Sequence, residues 1–424
     1  MRYKVFLHTA YLIIIFNYGI IRLLELPTEI YKVVSPVLLI LLLLDIFFMN
    51  KTVKFPLLGA ALSFVFISFI SSELNNINFF QLIYFWLYTL FPIIYFYIIL
   101  NEKNIEVLNK IKRIFIFLIL LQLPAVFIKW IILGYSESGA IGTMGTEEGS
   151  LSAIFPLLIS ILLFSYYLTY RNKKYLLLII GYFLFAIIGG KRVITLALPF
   201  FMLLTLLIFY KKNKRLFSFV LLKKIAVYSI IGFMLFFFSV KVQPTLNPEN
   251  SYWGTFDLEY LTDYMFSYSS HGKMAGDVSR LEGLGLFAVK LYSEDTNSFL
   301  IGEGAGKLIA SKFAGNKSAN LIEENYGIFY GGRMGFLWIY MQIGILGLLF
   351  FLYIYLKSAF INNLNNHPLN IALLSIIFLF TFDFFYYSKV FITFPLINNL
   401  YFFLSALAYK ASNNKLYLPL INKI

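Results

Sequence analysis

The chain has 424 residues, of which 60% are hydrophobic, 20% aromatic and 13% charged, and its net charge is +14. A soluble domain carries about 25% charged residues, so this composition excludes an ordinary soluble globular protein. The sequence contains no cysteine, which excludes a disulfide framework and any metal site built on thiolates. In a membrane protein a basic excess belongs on the cytoplasmic loops, so we expect no nucleic-acid partner.

Apolar runs dominate the chain, and twelve of them are long enough to cross a bilayer, which takes roughly 20 residues of helix. They predict an all-α polytopic membrane protein with about 12 transmembrane helices. The first run has no small-residue cleavage site behind it, so we expect no cleaved signal peptide. The runs cover residues 5–24, 33–50, 55–71, 80–100, 111–133, 151–170, 174–190, 193–210, 221–240, 334–356, 369–387 and 390–409.

The basic residues orient these spans. With the N-terminus inside, 21 Lys and Arg residues fall on the cytoplasmic side, six fall near short outer loops, and eight fall in the long segment 241–334. Short cytoplasmic loops carry the Lys and Arg excess, whereas long loops translocate largely regardless of charge. We therefore predict that both termini are cytoplasmic and that the long segment lies outside.

Three regions follow from this topology. Residues 1–240 form an N-terminal transmembrane bundle of about nine spans, residues 241–333 form one large outer loop, and residues 334–424 form about three spans and a cytoplasmic tail. In the loop, "TFDLEYLTDYMFSY" and "DVSRLEGLGLFAVKLY" have helical spacing of their apolar residues. We expect both to be amphipathic helices lying against the membrane surface. There is no inverted repeat with matching broken helices, which argues against a transporter.

A glycine-rich stretch in the loop, "FLIGEGAGKL" at 299–308, is similar to a phosphate-binding loop. Its spacing is one residue short of G-x-x-x-x-G-K-[ST], and Leu308 stands where the magnesium-binding hydroxyl belongs. The predicted topology also puts it outside the cytoplasm, where ATP is not supplied. We predict no nucleotide and no other cofactor.

Basic residues at the outer face are the main candidates for a functional site. Lys191 and Arg192 in "IIGGKRVITL" lie between two spans, Arg280 lies early in the second loop helix, and Arg333 heads a span. Positive charge at a helix N-terminus is disfavoured by the helix dipole, so Arg333 needs a reason to be there. Guanidinium groups match phosphate oxygens in two-point contacts, so the arginines predict an anion site. The alternatives are a snorkelling pair at 191–192 and a solvated charge at 280.

Other ionisable residues are weaker candidates. His271 is the one outer histidine in this topology, and a loop histidine is often incidental. Glu323 and Glu324 read equally as a base, an arginine partner or solvated charges. Asp45 and Asp383 lie within apolar runs, where acidic side chains are functional candidates by default. No set of His and carboxylate side chains has metal-ligand spacing, so we predict no metal site.

Three local patterns carry a resemblance: "GGKRVITL" opening a span; "SRLEGLGLF" followed by "FLIGEGAGKL"; and Arg333 ahead of Gly344 and Gly347 in "RMGFLWIYMQIGILG". With the many spans and one large loop in the C-terminal half, the chain resembles the Wzy-type O-antigen polymerases and the related O-antigen ligases. The resemblance implies a glycosyltransferase of the bacterial inner membrane with a periplasmic active face. It implies undecaprenyl-pyrophosphate-linked oligosaccharides as donor and acceptor, and a chain-length regulator as a further partner beside the lipid bilayer.

The resemblance also implies roles for single residues. Fixed cations would stabilise the pyrophosphate leaving group, and a carboxylate or histidine would take the proton of the acceptor hydroxyl. The implied catalytic residues are Arg192, Arg280, Arg333, Glu324 and His271. The implied substrate-binding residues are Lys191, Gly302, Glu303, Gly304 and Tyr326, with the glycine turn packing the loop and offering N–H groups to an anion.

Two alternatives stay open. Ligases usually carry histidine where Arg333 stands, and arginine cannot act as a general base because its pKa exceeds about 12. The chain therefore resembles a polymerase more than a ligase. A flippase or another transporter of lipid-linked oligosaccharide is the second alternative, since twelve spans suit it.

Overall fold

The computed structural model describes residues 2–24, 29–47, 55–134, 141–145, 149–213, 218–251, 253–270, 285, 295–309, 334–361 and 366–414. Within these ranges the regular structure is helical and no strand occurs. This confirms the all-α class. Every predicted span overlaps a helix or a pair of helices, although the boundaries differ.

The first half of the chain holds ten helices that follow one another with short connections. They are α1 (Arg2–Phe16), α2 (Tyr18–Leu23), α3 (Glu29–Phe47), α4 (Leu58–Leu74), α5 (Phe79–Thr89), α6 (Phe91–Asn101), α7 (Ile105–Ile131), α8 (Leu151–Tyr170), α9 (Lys174–Ile188) and α10 (Val193–Lys212). The second half holds α11 (Phe219–Val242), α12 (Leu258–Ser270), α13 (Thr296–Ile301), α14 (Gly335–Phe360), α15 (Pro368–Phe382), α16 (Val390–Thr393) and α17 (Pro395–Asn414).

Six helical segments in the described ranges are long and apolar enough to cross a membrane, and a seventh results if the bent pair α5–α6 is one span. The chain is therefore a helical membrane protein. The finer count of twelve spans stays a prediction. The six segments are Ile105–Ile131, Leu151–Tyr170, Val193–Lys212, Phe219–Val242, Gly335–Phe360 and Pro368–Tyr387.

Apart from α12, the helices share one continuous hydrophobic core that runs from α1 to α17. The helix α8 lies at the centre of this core, with 94% of the residues in its most apolar 18-residue stretch buried. The helix α11 lies at the edge, with 17% of the corresponding residues buried. An apolar helix that is buried on all sides belongs in the middle of a bundle, and one exposed on all sides faces lipid. The C-terminal helices pack within the N-terminal bundle: the hydroxyl of Thr205 in α10 donates to that of Ser375 in α15 at 3.0 Å.

The two ends of the bundle are named by the hairpin α8–α9. The loop end is the end that carries the α9–α10 turn at residues 189–192, and the basic end is the opposite end, which carries residues 171–173. The helix α15 runs antiparallel to α10, since Thr205 contacts Ser375 and the rings of Phe201 and Phe382 lie 6.4 Å apart. The C-terminus of α15 therefore reaches the loop end.

The helices contain breaks that the pattern of apolar runs did not predict. The helices α5 and α6 meet at 53°, where Pro92 at the start of α6 has no N–H to give to the carbonyl of Tyr88. The amide of Asn398 in α17 donates to that carbonyl at 2.8 Å. A backbone group freed by a proline within a bilayer needs such a partner, so Asn398 supports the bend.

The helix α14 is broken as well. Ile343 and Gly344 have non-helical backbone angles, with Gly344 at φ +64° and ψ −170°. The break divides α14 into a short segment at the loop end and a longer one towards the basic end. A similar interruption separates α1 from α2 at Asn17, where the N–H of Gly19 donates to the carbonyl of Thr143 at 2.9 Å.

Asp45 is not a buried intramembrane acid, which corrects the expectation from the sequence. The side chain of Asp45 is 35% exposed at the basic end, and its carboxylate forms an ion pair with the ammonium group of Lys4 at 2.5 Å. Lys4 also lies 3.7 Å from Glu102, and Lys410 donates to the backbone carbonyl of Glu102. These contacts join α1, α3, α17 and the end of α6, so the carboxylate of Asp45 has a structural explanation.

Candidate functional site

The α9–α10 turn places the first two candidate residues. Gly189 and Gly190 end α9 in a Schellman motif, in which the N–H of Lys191 donates to the carbonyl of Ala186 and that of Gly190 donates to Ile187. Gly190 has φ +64°, which glycine adopts without strain. Lys191 and Arg192 follow at once and lie half-buried before the first turn of α10.

Arg192 contacts a helix of the long loop. Its guanidinium carbon lies 4.5 Å from the centre of the Tyr264 ring in α12, within the range of a cation–π interaction. The predicted loop helix over "TFDLEYLTDYMFSY" is thus confirmed as α12. Tyr264 also stacks on Tyr260, with ring centres 6.1 Å apart, so a tyrosine pair lies beside this guanidinium at the loop end.

A small apolar cluster holds α12 in this position. Leu261 of α12 is buried with Val240 of α11 and Leu246, and Phe256 packs against this cluster. The cluster ties α12 to the end of α11, while Tyr264 reaches across to the α9–α10 turn. Tyr264 is one of the residues at helical spacing in "TFDLEYLTDYMFSY". Its contact with Arg192 joins residues far apart in the chain, and no local signal predicts it.

The glycine-rich stretch is a turn that packs into the break of α14. The N–H groups of Glu303 and Gly304 donate to the carbonyls of Met341 and Gln342 at 2.8 and 3.1 Å. The N–H of Gly306 donates to the Oε1 of Gln342 at 3.0 Å. The backbone carbonyls of Met341 and Gln342 would otherwise accept hydrogen bonds within α14. The turn therefore replaces the helix hydrogen bonds that the break removes.

The helix α4 holds the other side of the turn. The hydroxyl of Ser71 donates to the carbonyl of Gln342 at 2.7 Å, and the hydroxyl of Ser72 donates to the carbonyl of Ala305 at 2.8 Å. Gln342 itself donates to the carbonyl of Trp338 at 2.8 Å. Sequence reasoning missed Gln342, although a fully buried amide in an apolar run is a visible signal.

The N–H groups of the turn therefore serve the fold. Those of Gly302, Glu303, Gly304 and Gly306 all donate to protein acceptors, which leaves the turn as a packing element of the loop. The two charged side chains form an ion pair at 2.9 Å between Lys307 and Glu303. Just upstream, hydrogen bonds from Ser298 hold the pKa of Asp295, the N-cap of α13, below its usual value.

Asp383 lies fully buried at the end of α15, where residues Asp383–Tyr387 form a π-helical turn. Its carboxylate accepts the hydroxyl of Ser388 and the N–H of Phe391, the latter at 3.1 Å. The carbonyl of Ser388 accepts the N–H of Gly335, the first residue of α14, at 3.1 Å. The predicted spans 369–387 and 390–409 are thus joined by a compact polar turn that Asp383 organises.

The remaining candidates lie outside the described residues: Arg280, Arg333, Glu323, Glu324, His271 and Tyr326. The second predicted loop helix lies there too, apart from Gly285. Of the candidates that the structure describes, Arg192 and Lys191 share one turn at the loop end, and Gly302, Glu303 and Gly304 share the turn on α14. In the described ranges no three His, Asp or Glu side chains come together as a metal site.

Comparison of the chain with protein-family models, with curated proteins and with solved structures finds no match.

Proposed function

We propose that this protein is a polymerase of a bacterial surface polysaccharide. It joins oligosaccharide repeat units carried on undecaprenyl pyrophosphate at the outer face of the inner membrane. The acceptor hydroxyl oxygen forms a bond to the anomeric carbon of the donor chain, and the bond from that carbon to the pyrophosphate oxygen breaks. The hydroxyl proton passes to a base, and lipid pyrophosphate leaves as an anion. No nucleotide takes part.

The observation that carries the proposal is the contact between Arg192 and Tyr264 at 4.5 Å. It brings the basic turn between two membrane helices against a helix of the long loop. The turn belongs to "GGKRVITL" and the helix belongs to the one large loop, and the resemblance to the polymerases depends on both features. A membrane enzyme with a lipid-linked substrate needs its cations at this boundary between bundle and loop, where the pyrophosphate lies at head-group depth.

Arg192 is the residue to which we assign charge stabilisation. Stacking on an aromatic ring uses the flat face of a guanidinium group, whereas phosphate oxygens bind its N–H edge in the plane. Both contacts can therefore be made at once, and the ring fixes the orientation of the edge. Negative charge grows on the leaving oxygen as its bond to the sugar breaks, so a fixed cation lowers the barrier. Lysine offers no two-point edge.

The test is complementation of a strain that lacks the gene, read as a ladder of surface polysaccharide on a gel. We expect the deletion strain to make molecules with one repeat unit, and the wild-type gene to restore the ladder. Arg192→Gln and Arg192→Lys should both leave single units while the protein stays in the membrane. Lys357→Gln is the matched control, because Lys357 also lies over a tyrosine ring, at 5.1 Å from Tyr353, towards the opposite end of the bundle.

A full ladder from both Arg192 variants would refute the role of this residue. Complete loss of attached polymer in the deletion strain, with long lipid-linked chains outside, would instead identify a ligase. An unchanged ladder in the deletion strain would refute the proposed function.

A transporter of lipid-linked oligosaccharide is the second candidate, and the broken helices favour it. Discontinuous helices line the substrate sites of many transporters, and α14 is interrupted at Ile343–Gly344. In this chain, however, the turn at residues 302–306 occupies the break. A transporter predicts that deletion traps single repeat units on the inner side of the membrane, whereas a polymerase predicts single units outside.

A further inference from the structure

A stretch of one hundred residues, 149–248, contains no Asp or Glu and twelve Lys and Arg residues. Nine of these twelve belong to the parts of the sequence around the connections α8–α9 and α10–α11. The orientation rule explains the sign of the charge in short loops. It does not explain why this stretch of one hundred residues contains no acidic residue. The nine basic residues are Arg171, Lys173, Lys174, Lys211, Lys212, Lys214, Arg215, Lys223 and Lys224.

Tyrosines hold two of these cations where α8, α10 and α11 meet. The guanidinium of Arg171 lies 5.9 Å from the ring centre of Tyr167, and the ammonium of Lys224 lies 5.3 Å from that of Tyr210. Tyr228 lies four residues after Lys224 on the same face of α11, and its ring lies 5.4 Å from that of Phe164, which stacks on Tyr167 at 6.1 Å. These rings and the two cations thus form one cluster, which we call the basic cluster.

Lys224 lies in the second turn of α11, after the N-cap Ser218. Within the described ranges neither Arg171 nor Lys224 forms an ion pair with a carboxylate. Two cations held together without an acidic partner are the arrangement expected where the partner is an anion from outside the chain.

An apolar stripe on α11 leads away from the basic cluster. Val227 and Ile231 follow Lys224 at intervals of three and seven residues, so all three lie on one face of the helix. Val227 and Ile231 are each 46% exposed. The same ligand can therefore contact the cations with an acidic group and the stripe with hydrocarbon.

We propose that the basic cluster binds an anionic phospholipid. Its phosphate lies between Arg171 and Lys224, and its acyl chains run along Val227 and Ile231 on α11. Basic pockets between membrane helices bind such head groups through charge, and a guanidinium and an ammonium together supply two-point and one-point contacts to phosphate oxygens. The exposed stripe favours a lipid over free phosphate. This inference is independent of the proposed function.

The experiment is native mass spectrometry of the purified full chain in neutral detergent, titrated with cardiolipin or phosphatidylglycerol. Phosphatidylcholine and inorganic phosphate are the comparison ligands. We expect saturable binding of the anionic lipids and a rise in the thermal unfolding midpoint with them. The double variant Arg171→Gln/Lys224→Gln should bind the anionic lipids at least about tenfold more weakly. Lys110→Gln/Lys357→Gln removes two cations elsewhere and should bind like the wild type.

Three results would overturn the proposal: equal affinity of the double variant, equal affinity for phosphatidylcholine, or full competition by inorganic phosphate at equimolar concentration. An unchanged unfolding midpoint without lipid shows that the double variant is folded. If it does not fold, Lys224→Gln and Arg171→Lys replace it. The first should weaken binding severalfold, and the second should weaken it less, because the positive charge remains although the two-point contact is lost. Wild-type affinity in Lys224→Gln would likewise refute the site.

Discussion

Gly302→Ala tests whether the glycine turn is built into the break of α14. Gly302 has φ +78° and ψ −171°, a backbone region that is essentially closed to other residues and costs about 1–3 kcal/mol. A Cβ atom there would lie 2.5 Å from backbone atoms of Gln342, Ile343 and Gly344. Forcing an extra methyl group into a packed site costs about 1–3 kcal/mol more. We expect a total loss of about 2–6 kcal/mol in the free energy of unfolding.

Two other glycines separate the contributions. Gly134 has φ +67° but open space around its Cα, so Gly134→Ala should lose only the conformational part, about 1–2 kcal/mol. Gly59 lies in α4 with open space and no positive φ, so Gly59→Ala should gain about 0.5–1 kcal/mol from helix propensity.

The assay is equilibrium unfolding of the purified protein in mixed micelles, with increasing mole fraction of a denaturing detergent. The three alanine variants and the wild type are compared at one temperature and pH. The expected order of stability is Gly59→Ala, wild type, Gly134→Ala and then Gly302→Ala. If Gly302→Ala loses no more than Gly134→Ala, the close approach of the turn to α14 is wrong.

Two further predictions concern single polar groups. Asn398→Leu leaves the carbonyl of Tyr88 without its partner, whereas the hydroxyl of Tyr355 loses one acceptor and keeps the carbonyl of Phe391 at 3.3 Å. We therefore expect a loss of about 1–3 kcal/mol in the same unfolding assay, and a loss below about 0.5 kcal/mol would contradict the role of Asn398 in the bend. Burial lowers the pKa of His367, the N-cap of α15, to about 4, whereas the pKa of a histidine in the unfolded chain is near 6.5. Between about pH 4 and pH 6.5 the unfolded chain therefore binds more protons at this residue than the folded protein, so the free energy of unfolding falls as the pH drops from about 6.5 towards 4. His367→Asn keeps a capping acceptor and should lose about 1–2 kcal/mol less than the wild type between pH 7 and pH 4.5, whereas equal losses would show that His367 does not titrate in this range.

The helices were predictable because a long apolar run has few other solutions in a membrane. The run at 151–170 became a helix with the same bounds, since the αL residue Arg171 and the charges behind it end the apolar surface. The run at 390–409 shifted by five residues, to Pro395–Asn414. There the carboxylate of Asp383 captures the N–H of Phe391 and turns the chain before α17 begins. Hydropathy alone does not register such a turn.

The helix breaks were only partly visible in the sequence. Pro92 is a local signal for the bend between α5 and α6, because the ring removes a hydrogen bond and restricts the residue before it. The break at Gly344 has no comparable signal. It depends on the turn at 302–306, whose N–H groups replace the missing helix bonds from about 40 residues upstream.

The candidate site was predictable in its chemistry and not in its contacts. The double glycine before Lys191 indicated a tight turn, and the structure has one. The partner of Arg192 is Tyr264, 72 residues further along the chain, and only the fold brings the two together. The prediction that Asp45 is a buried intramembrane acid was wrong for the same reason, because its partner Lys4 belongs to another helix.

The turn at residues 302–306, which packs into the break of α14, also bears on the order of assembly during synthesis. The carbonyls of Met341 and Gln342 receive their hydrogen bonds from Glu303, Gly304 and Ser71, all of which are made earlier by the ribosome. A carbonyl left without a partner in hydrocarbon costs several kcal/mol. The helix α14 therefore reaches its final depth only in contact with α4 and the turn at residues 302–306, both of which precede it in the chain.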